Sequence, residues 1–179
     1  HLNKIIVAVL FLLLFISKIN AQNEAANWVM YPSKFNFMTS PPNVSNQLND
    51  TLIQNSTISD KNGNLLLYTN GFNVWNNKYL KVEGGEISSY TNKQLTMQGE
   101  FNYLLIPSPA DTNQFYVFGT WYPDIYKGSA IRICTYALVD LSLNGGLGKI
   151  ISKHNAIDTN QITFIAATKH CNKKLPRVY

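Results

Sequence analysis

The stretch "SDKNGNLLLYTNGFNVWN", residues 59–76, decides the fold. Two Asn-Gly pairs, Asn62-Gly63 and Asn70-Gly71, flank the run Leu65–Thr69. Asn-Gly accepts the positive φ that type I′ hairpin turns require, so the run is expected to be a strand between two hairpin turns. A strand in a one-layer antiparallel sheet alternates apolar and polar residues, because one face is wet. This one does not alternate. Leu65, Leu67 and Thr69 fall on one face, and Leu66 and Tyr68 on the other.

The same two-sided character returns along the chain. Every residue of Phe115–Phe118 is apolar or aromatic, and Phe101–Ile106 places Phe101, Tyr103 and Leu105 opposite Leu104 and Ile106. Burying one such side chain stabilises by roughly 1.5–3 kcal/mol, so a whole open face would be costly. Strands apolar on both faces predict sheets covered on both faces. Small sheets stacked radially, as in the blades of a β-propeller, supply that cover directly. A sandwich strand, wet outside, supplies it less well.

No window after residue 22 sustains a 3.6-residue apolar period, and short β-branched and aromatic runs are divided by Gly, Pro and Asn clusters. The strands expected from these runs are Trp28–Met30, Phe35–Phe37, Ser56–Ser59, Leu65–Thr69, Phe72–Trp75, Phe101–Ile106, Phe115–Gly119, Arg132–Asp140, Lys149–Lys153 and Thr163–Lys169. The fold class is therefore all-β, with antiparallel meanders forming blades of an incomplete β-propeller. One three-strand meander runs from Ser56 to Asn76, a second set from Gly99 to Asn155, and the start of a third from Thr163. The sets recur at about 45–60 residues, a spacing compatible with blades and their loops.

The N-terminal segment has a different character. Lys4 precedes an unbroken apolar run, Ile5–Ile16, and a polar stretch that ends at Ala21. The run is short of the ~18–20 residues of a membrane span and within signal-peptide range. The expected organisation is a signal peptide over 1–21 and a partial propeller-like domain over 22–179, about two blades plus the start of a third. The chain opens with His1 and stops at "CNKKLPRVY", so it is expected to be a piece of a longer polypeptide, truncated at the C-terminus. Stacked repeats need about three units to bury a continuous core. Residues 22–179 are accordingly expected to be marginal or to associate.

Charge argues against nucleic acid as a partner. Residues 22–168 carry nine Lys and Arg against ten Asp and Glu, and the remaining basic excess sits in Lys4 and Lys18 of the N-terminal segment and in Lys169, Lys173, Lys174 and Arg177. A nucleic-acid-binding face concentrates positive charge instead. Two cysteines, Cys134 and Cys171, fit an exported protein without dense stapling, and their pairing is left open by the sequence.

A family resemblance rests on "NWVMYPSKFNF", "STISDKNGNLLLYTNGFNVWN", "LLIPSPADTNQFYVFGTW", "YALVDLSLNGGLG" and "AATKHCN", in that order across residues 27–172. The chain resembles the N-terminal β-propeller-like region of large secreted surface proteins of gliding and related Gram-negative bacteria. Those proteins end in a gliding-motility-associated C-terminal domain that serves as a type IX secretion sorting signal. The resemblance implies export, passage through the type IX secretion machinery by way of a sorting domain outside this sequence, and residence at the cell surface. It carries no catalytic residue to any position here, and after "KHCN" the sequence "KKLPRVY" departs from the family's aromatic strand.

Chemistry-bearing motifs favour structural roles. "NGGLGK", 144–149, is glycine-rich, but "IISKHN" behind it is β-branched and opens no helix, so a hairpin turn is expected rather than a phosphate cradle. His154, His170, Cys134 and Cys171 lack the paired spacing of zinc ligands. Asp60, Asp111, Asp124 and Asp140 fall at turns or strand ends, and Asp60 in "DKNGN" is expected to cap its turn. No cofactor and no metal is expected. Trp75, Trp121, Tyr122 and Tyr126 are the aromatics expected to be exposed, and the candidate ligand contacts are the loop aromatics Trp121, Tyr122 and Tyr126 in "TWYPDIYKG". The expected function is a non-catalytic scaffold for adhesion or assembly, with surface polysaccharide or other surface proteins as partners. The alternative is a carbohydrate-binding or glycan-hydrolysing β-propeller.

Overall fold

Strand β5 (Leu65–Thr69) pairs antiparallel with β4 (Ser56–Ser59) on one side and β6 (Asn73–Asn76) on the other. Strand β6 pairs in turn with β7 (Lys81–Glu86), so residues 56–86 form a four-stranded up-and-down meander. A second meander of the same order contains β8 (Tyr103–Pro107), β9 (Gln114–Trp121), β10 (Ile133–Asp140) and β11 (Lys149–Asp158). A parallel pairing of Lys149 with Glu83 joins β11 to β7. The eight strands therefore run β4-β5-β6-β7-β11-β10-β9-β8, and β8 lies alongside β4, so the sheet closes nearly into a barrel. The chain is all-β in this sense.

These elements belong to a computed structural model, which describes residues 23–30, 33–46, 56–87, 103–121, 133–158, 165–169 and 176–178. A three-stranded antiparallel sheet precedes the barrel, in the order β1 (Asn27–Met30), β2 (Ser33–Asn36), β3 (Asn43–Ser45). A short hairpin of β12 (Ala167–Lys169) and β13 (Pro176–Val178) follows it. The expected signal peptide, 1–21, lies outside the described residues, as does Cys171. No helix among the described residues is long and apolar enough to cross a membrane.

The meander expected to have three strands over 56–76 has four. Strand β7, "KVEGGE", escapes the apolar-run criterion because it carries Lys81, Glu83, Gly84, Gly85 and Glu86, with only Val82 directed into the core. The expected type I′ turns are also longer loops. Ser59 pairs with Leu65, leaving Asp60–Asn64 as a five-residue connection in which Gly63 takes φ +82°. The Asp60 carboxylate organises it by accepting from the backbone N–H groups of Asn62 (2.8 Å) and Asn64 (2.9 Å) and from Asn64 Nδ2 (2.9 Å). At the next connection Asn70 Oδ1 accepts from the N–H groups of Phe72 (2.9 Å) and Asn73 (2.8 Å), and Gly71 takes φ +83°. Short polar side chains that bond the backbone two to four residues ahead favour these wider loops over a two-residue turn.

The two-sided apolar pattern of β5 has a direct explanation in the packing. Leu67, Val74 and Val82 meet Leu105, Val117, Ala137 and Val139 in the space between the two meanders. The opposite face of the first meander buries Tyr68 and Trp75, a cross-strand pair whose rings stack at 5.1 Å between centroids, 10° from parallel. Val29 of β1 packs against these rings and Leu65, so Leu65 joins the Tyr68 cluster instead of the expected Leu67 face, and Leu66 packs against the core around Leu67. Tyr68 is 1 % exposed and Leu67 0 %, so neighbouring residues on opposite faces are equally excluded from water.

A polar staple fixes the N-terminal sheet on that face. Asn27 is fully buried; its Nδ2 donates to Ser59 Oγ (2.9 Å) and to the Gly63 carbonyl (2.7 Å), and its Oδ1 accepts from Asn36 Nδ2 (3.1 Å). Thr57 Oγ1 donates to the Asn27 carbonyl at 2.6 Å. Such a buried amide is tolerated because its donors and acceptor are matched. The layers therefore lie in sequence order: the N-terminal sheet, then the first and second meanders of the nearly closed eight-stranded sheet.

Candidate functional surfaces

The aromatics expected to contact ligand are only partly within view. Trp121 ends β9, its backbone opposite Ile133 of β10. Tyr122 and Tyr126 lie outside the described residues.

The carboxylates serve turns. Asp140, buried at the end of β10, accepts from Ser142 Oγ (2.5 Å) and the Ser142 N–H (2.9 Å) through Oδ1, and from Gln114 Nε2 (3.1 Å) through Oδ2. The Ser142 hydroxyl, then the Gln114 amide, hold its carboxyl below the ordinary carboxylate range. The Asn64 side chain and the loop N–H groups do the same for Asp60. Asp111 accepts from the Asn113 N–H at 2.8 Å in the connection between β8 and β9. Asp124 lies outside the described residues.

"NGGLGK" forms a single 3-10 turn, Asn144–Gly146, between the antiparallel strands β10 and β11. Asn144, Gly145, Gly146 and Gly148 all take positive φ, as a tight reversal needs. His154 sits exposed on β11, Cys134 is buried on β10, and His170 lies outside the described residues. No group of three or more His, Cys, Asp or Glu that could hold a metal occurs among the described residues.

Two apolar faces stand out, an exposed one on the N-terminal sheet and a largely buried one on the outer side of the second meander. Register places Trp28, Phe35 and Val44 in one cross-strand row of the N-terminal sheet, facing away from Val29. Trp28 is 54 % exposed and Val44 53 %, and Phe37 brings its ring within 5.1 Å of Trp28. At the other end, Leu104, Phe118 and Tyr136 form one row and Ile106, Tyr116 and Leu138 the next. The rings of Tyr116, Phe118 and Tyr136 make a half-buried cluster with centroids 5.5–6.0 Å apart. Thr120 continues that face, and its Oγ1 is buried with no hydrogen-bond partner.

Sequence reasoning placed the interesting aromatics on a loop, whereas the described ones lie on sheet faces. The alternation of Trp28 and Met30 with Asn27 and Val29 could have flagged the first face. Tyr103 behaves differently. It points inward over Gly119 and Gly71, and burial pushes its phenol far above the ordinary tyrosine range.

The sequence matches no family model, and neither the curated proteins nor the solved structures yield a match.

Proposed function

We propose that the chain is a propeller-like, non-catalytic scaffold module of a secreted cell-surface protein, displaying loops for adhesion or assembly. The observation that carries this reading is the stacking of two like meanders. Their first strands, β4 and β8, lie side by side, as do their last, β7 and β11, with a shared apolar core between. Adjacent blades of a propeller likewise place like strand beside like, although here β7 and β11 also pair into one sheet, and such stacking leaves the connecting loops at the rims free to vary. Export follows from the leader-like run Ile5–Ile16, and the type IX route from the resemblance described above.

Protease accessibility on intact cells that make the protein tests the location, and adhesion of cells lacking it tests the role. Degradation from outside together with reduced adhesion is the expected outcome. A protein shielded in intact cells would overturn the surface role. The carbohydrate alternative predicts glycan-array binding that Trp121→Ala or Tyr122→Ala abolishes, and a hydrolase would in addition turn over released oligosaccharides.

A further inference from the structure

Three Asn-Gly pairs occur in the chain: Asn62-Gly63, Asn70-Gly71 and Asn144-Gly145. In such a pair the glycine nitrogen can attack the asparagine side-chain carbonyl carbon, because no Cβ on the following residue hinders the approach. The attack needs a glycine N–H that is not tied up and an amide that can swing toward it. As dipeptides the three pairs are equivalent, and the fold separates them.

Gly63 donates its N–H to the Asp60 carbonyl (3.0 Å), and it is buried against Met38, whose Sδ would lie 2.6 Å from a Cβ there. Gly71 donates to Thr69 Oγ1 (2.9 Å), while Asn70, 1 % exposed, holds its side-chain carbonyl on the N–H groups of Phe72 and Asn73. Asn144-Gly145 has neither restraint. Both residues are exposed, no heavy atom comes within 4 Å of the place a Gly145 Cβ would take, and the Gly145 N–H donates to no acceptor among the described residues. The N–H groups of Gly146 and Gly148 both go to the Leu143 carbonyl (3.1 Å each), so the turn is held around the pair and leaves that donor out.

We infer that Asn144 is a site of spontaneous modification, converting to aspartate and isoaspartate through a cyclic imide while Asn62 and Asn70 stay intact. Base removes the Gly145 amide proton, the nitrogen bonds to Asn144 Cγ, the Cγ–Nδ2 bond breaks, and ammonia leaves. Water then opens the ring. Attack at Cγ gives aspartate; attack at the main-chain carbonyl carbon gives isoaspartate, with Cβ now inside the backbone. No oxidation or reduction is involved, and water is the only co-reactant. The isoaspartyl product lengthens the turn where it is fastened to the first meander, since Asn76 Nδ2 donates to the Leu147 carbonyl (2.8 Å) and the Glu83 N–H to the Gly148 carbonyl (3.0 Å). Conversion at Asn144 therefore loosens that seam.

Incubation of the full chain in mildly alkaline buffer, followed by peptide mass mapping, tests this. Trypsin places Asn144 in peptide 133–149 and the other two pairs in peptide 62–78. Asn144 should convert faster than Asn62 or Asn70 by about tenfold or more, because at those sites breaking a hydrogen bond adds to the barrier. Its rate should rise with pH, and in heavy-oxygen water each product should gain one heavy oxygen. In urea the folded restraints are gone, and the three rates should converge. The isoaspartyl form, identified with an isoaspartate methyltransferase and separated by chromatography, should melt below Asn144→Asp protein. Equal rates at the three sites in the folded chain, a ranking that persists unchanged in urea, or an Asn144 that stays intact would each overturn the site. An isoaspartyl form as stable as Asn144→Asp protein would overturn the link to the seam.

Discussion

The phenol ring of Tyr103 lies on Gly71 so closely that a Cβ at position 71 would stand 1.7 Å from Tyr103 Cζ. Gly71 also holds φ +83°, and Phe72 beside it meets the Tyr103 ring at 6.4 Å between centroids. The contact ties the β5–β6 connection of one meander to the first strand of the other. Gly71→Ala should therefore cost well beyond the ~1 kcal/mol of the backbone alone, about 3 kcal/mol or more, through a steric clash in a packed interior. Urea unfolding checks it. Tyr103→Ala in the same chain should make the two losses clearly less than additive, the signature of residues in contact.

Adjacent core residues on opposite faces should both be sensitive. Leu67→Ala opens the space between the meanders and should cost about 2–5 kcal/mol; Tyr68→Ala removes the ring stacked on Trp75 and should cost about 3–5 kcal/mol. Denaturant midpoints of the two variants decide it. Tolerance at Tyr68 would mean that the N-terminal sheet does not cover its face in solution.

The seam between the meanders contains one strong and one weak element. Asn76, 2 % exposed, donates from Nδ2 to the Leu147 carbonyl (2.8 Å) and accepts at Oδ1 from the N–H groups of Lys78 (2.9 Å) and Leu80 (3.2 Å). Nearby, Lys149 and Glu83 form an ion pair at 2.7 Å with both side chains nearly half exposed. Asn76→Ala should cost about 2–3 kcal/mol, because buried groups lose their partners. Lys149→Met should change stability by under about 1 kcal/mol and by less still in high salt. Thermal melts in low and high salt separate the two.

Acid should weaken the fold through its turns. The Asp60 and Asp140 carboxyls are held below their ordinary values by hydrogen bonds, so in each case the charged form is favoured by folding. A depressed folded-state value gives stability that is fully present above the unfolded value near ~3.9 and fades as pH falls through the folded one. Urea midpoints should therefore be flat in this contribution from pH 7 to about 4 and decline below. Asp60→Asn and Asp140→Asn should each flatten that acid limb, with the loss at pH 7 small for partly exposed Asp60 and larger for buried Asp140.

The apolar faces of β5, β8, β9 and β10 made the strands legible, along with the need for cover on both sides. Strand β3, "NVS", and β7 were not legible: each presents a single apolar residue, and their pairing is decided by neighbours already in place. The turn residues were recognised but their geometry was not, because an Asx side chain bonding ahead widens a loop without changing its composition. Asp60 was legible as a turn cap. The two apolar faces were hidden for a different reason. Trp28 looks like a core residue by type, yet it is 54 % exposed, and Tyr136 is half-buried against the rings of Tyr116 and Phe118.

Every antiparallel neighbour within each meander is also the next strand along the chain. Residues 56–87 can thus complete their own ladder before β8 has been synthesised, while Leu67, Val74 and Val82 wait for Leu105 and Val139. In that interval the half-made molecule is sticky on the side it will later hide. A chaperone that holds the first half until the second has emerged meets a definite need here, and the interval lasts as long as synthesis of some fifty further residues.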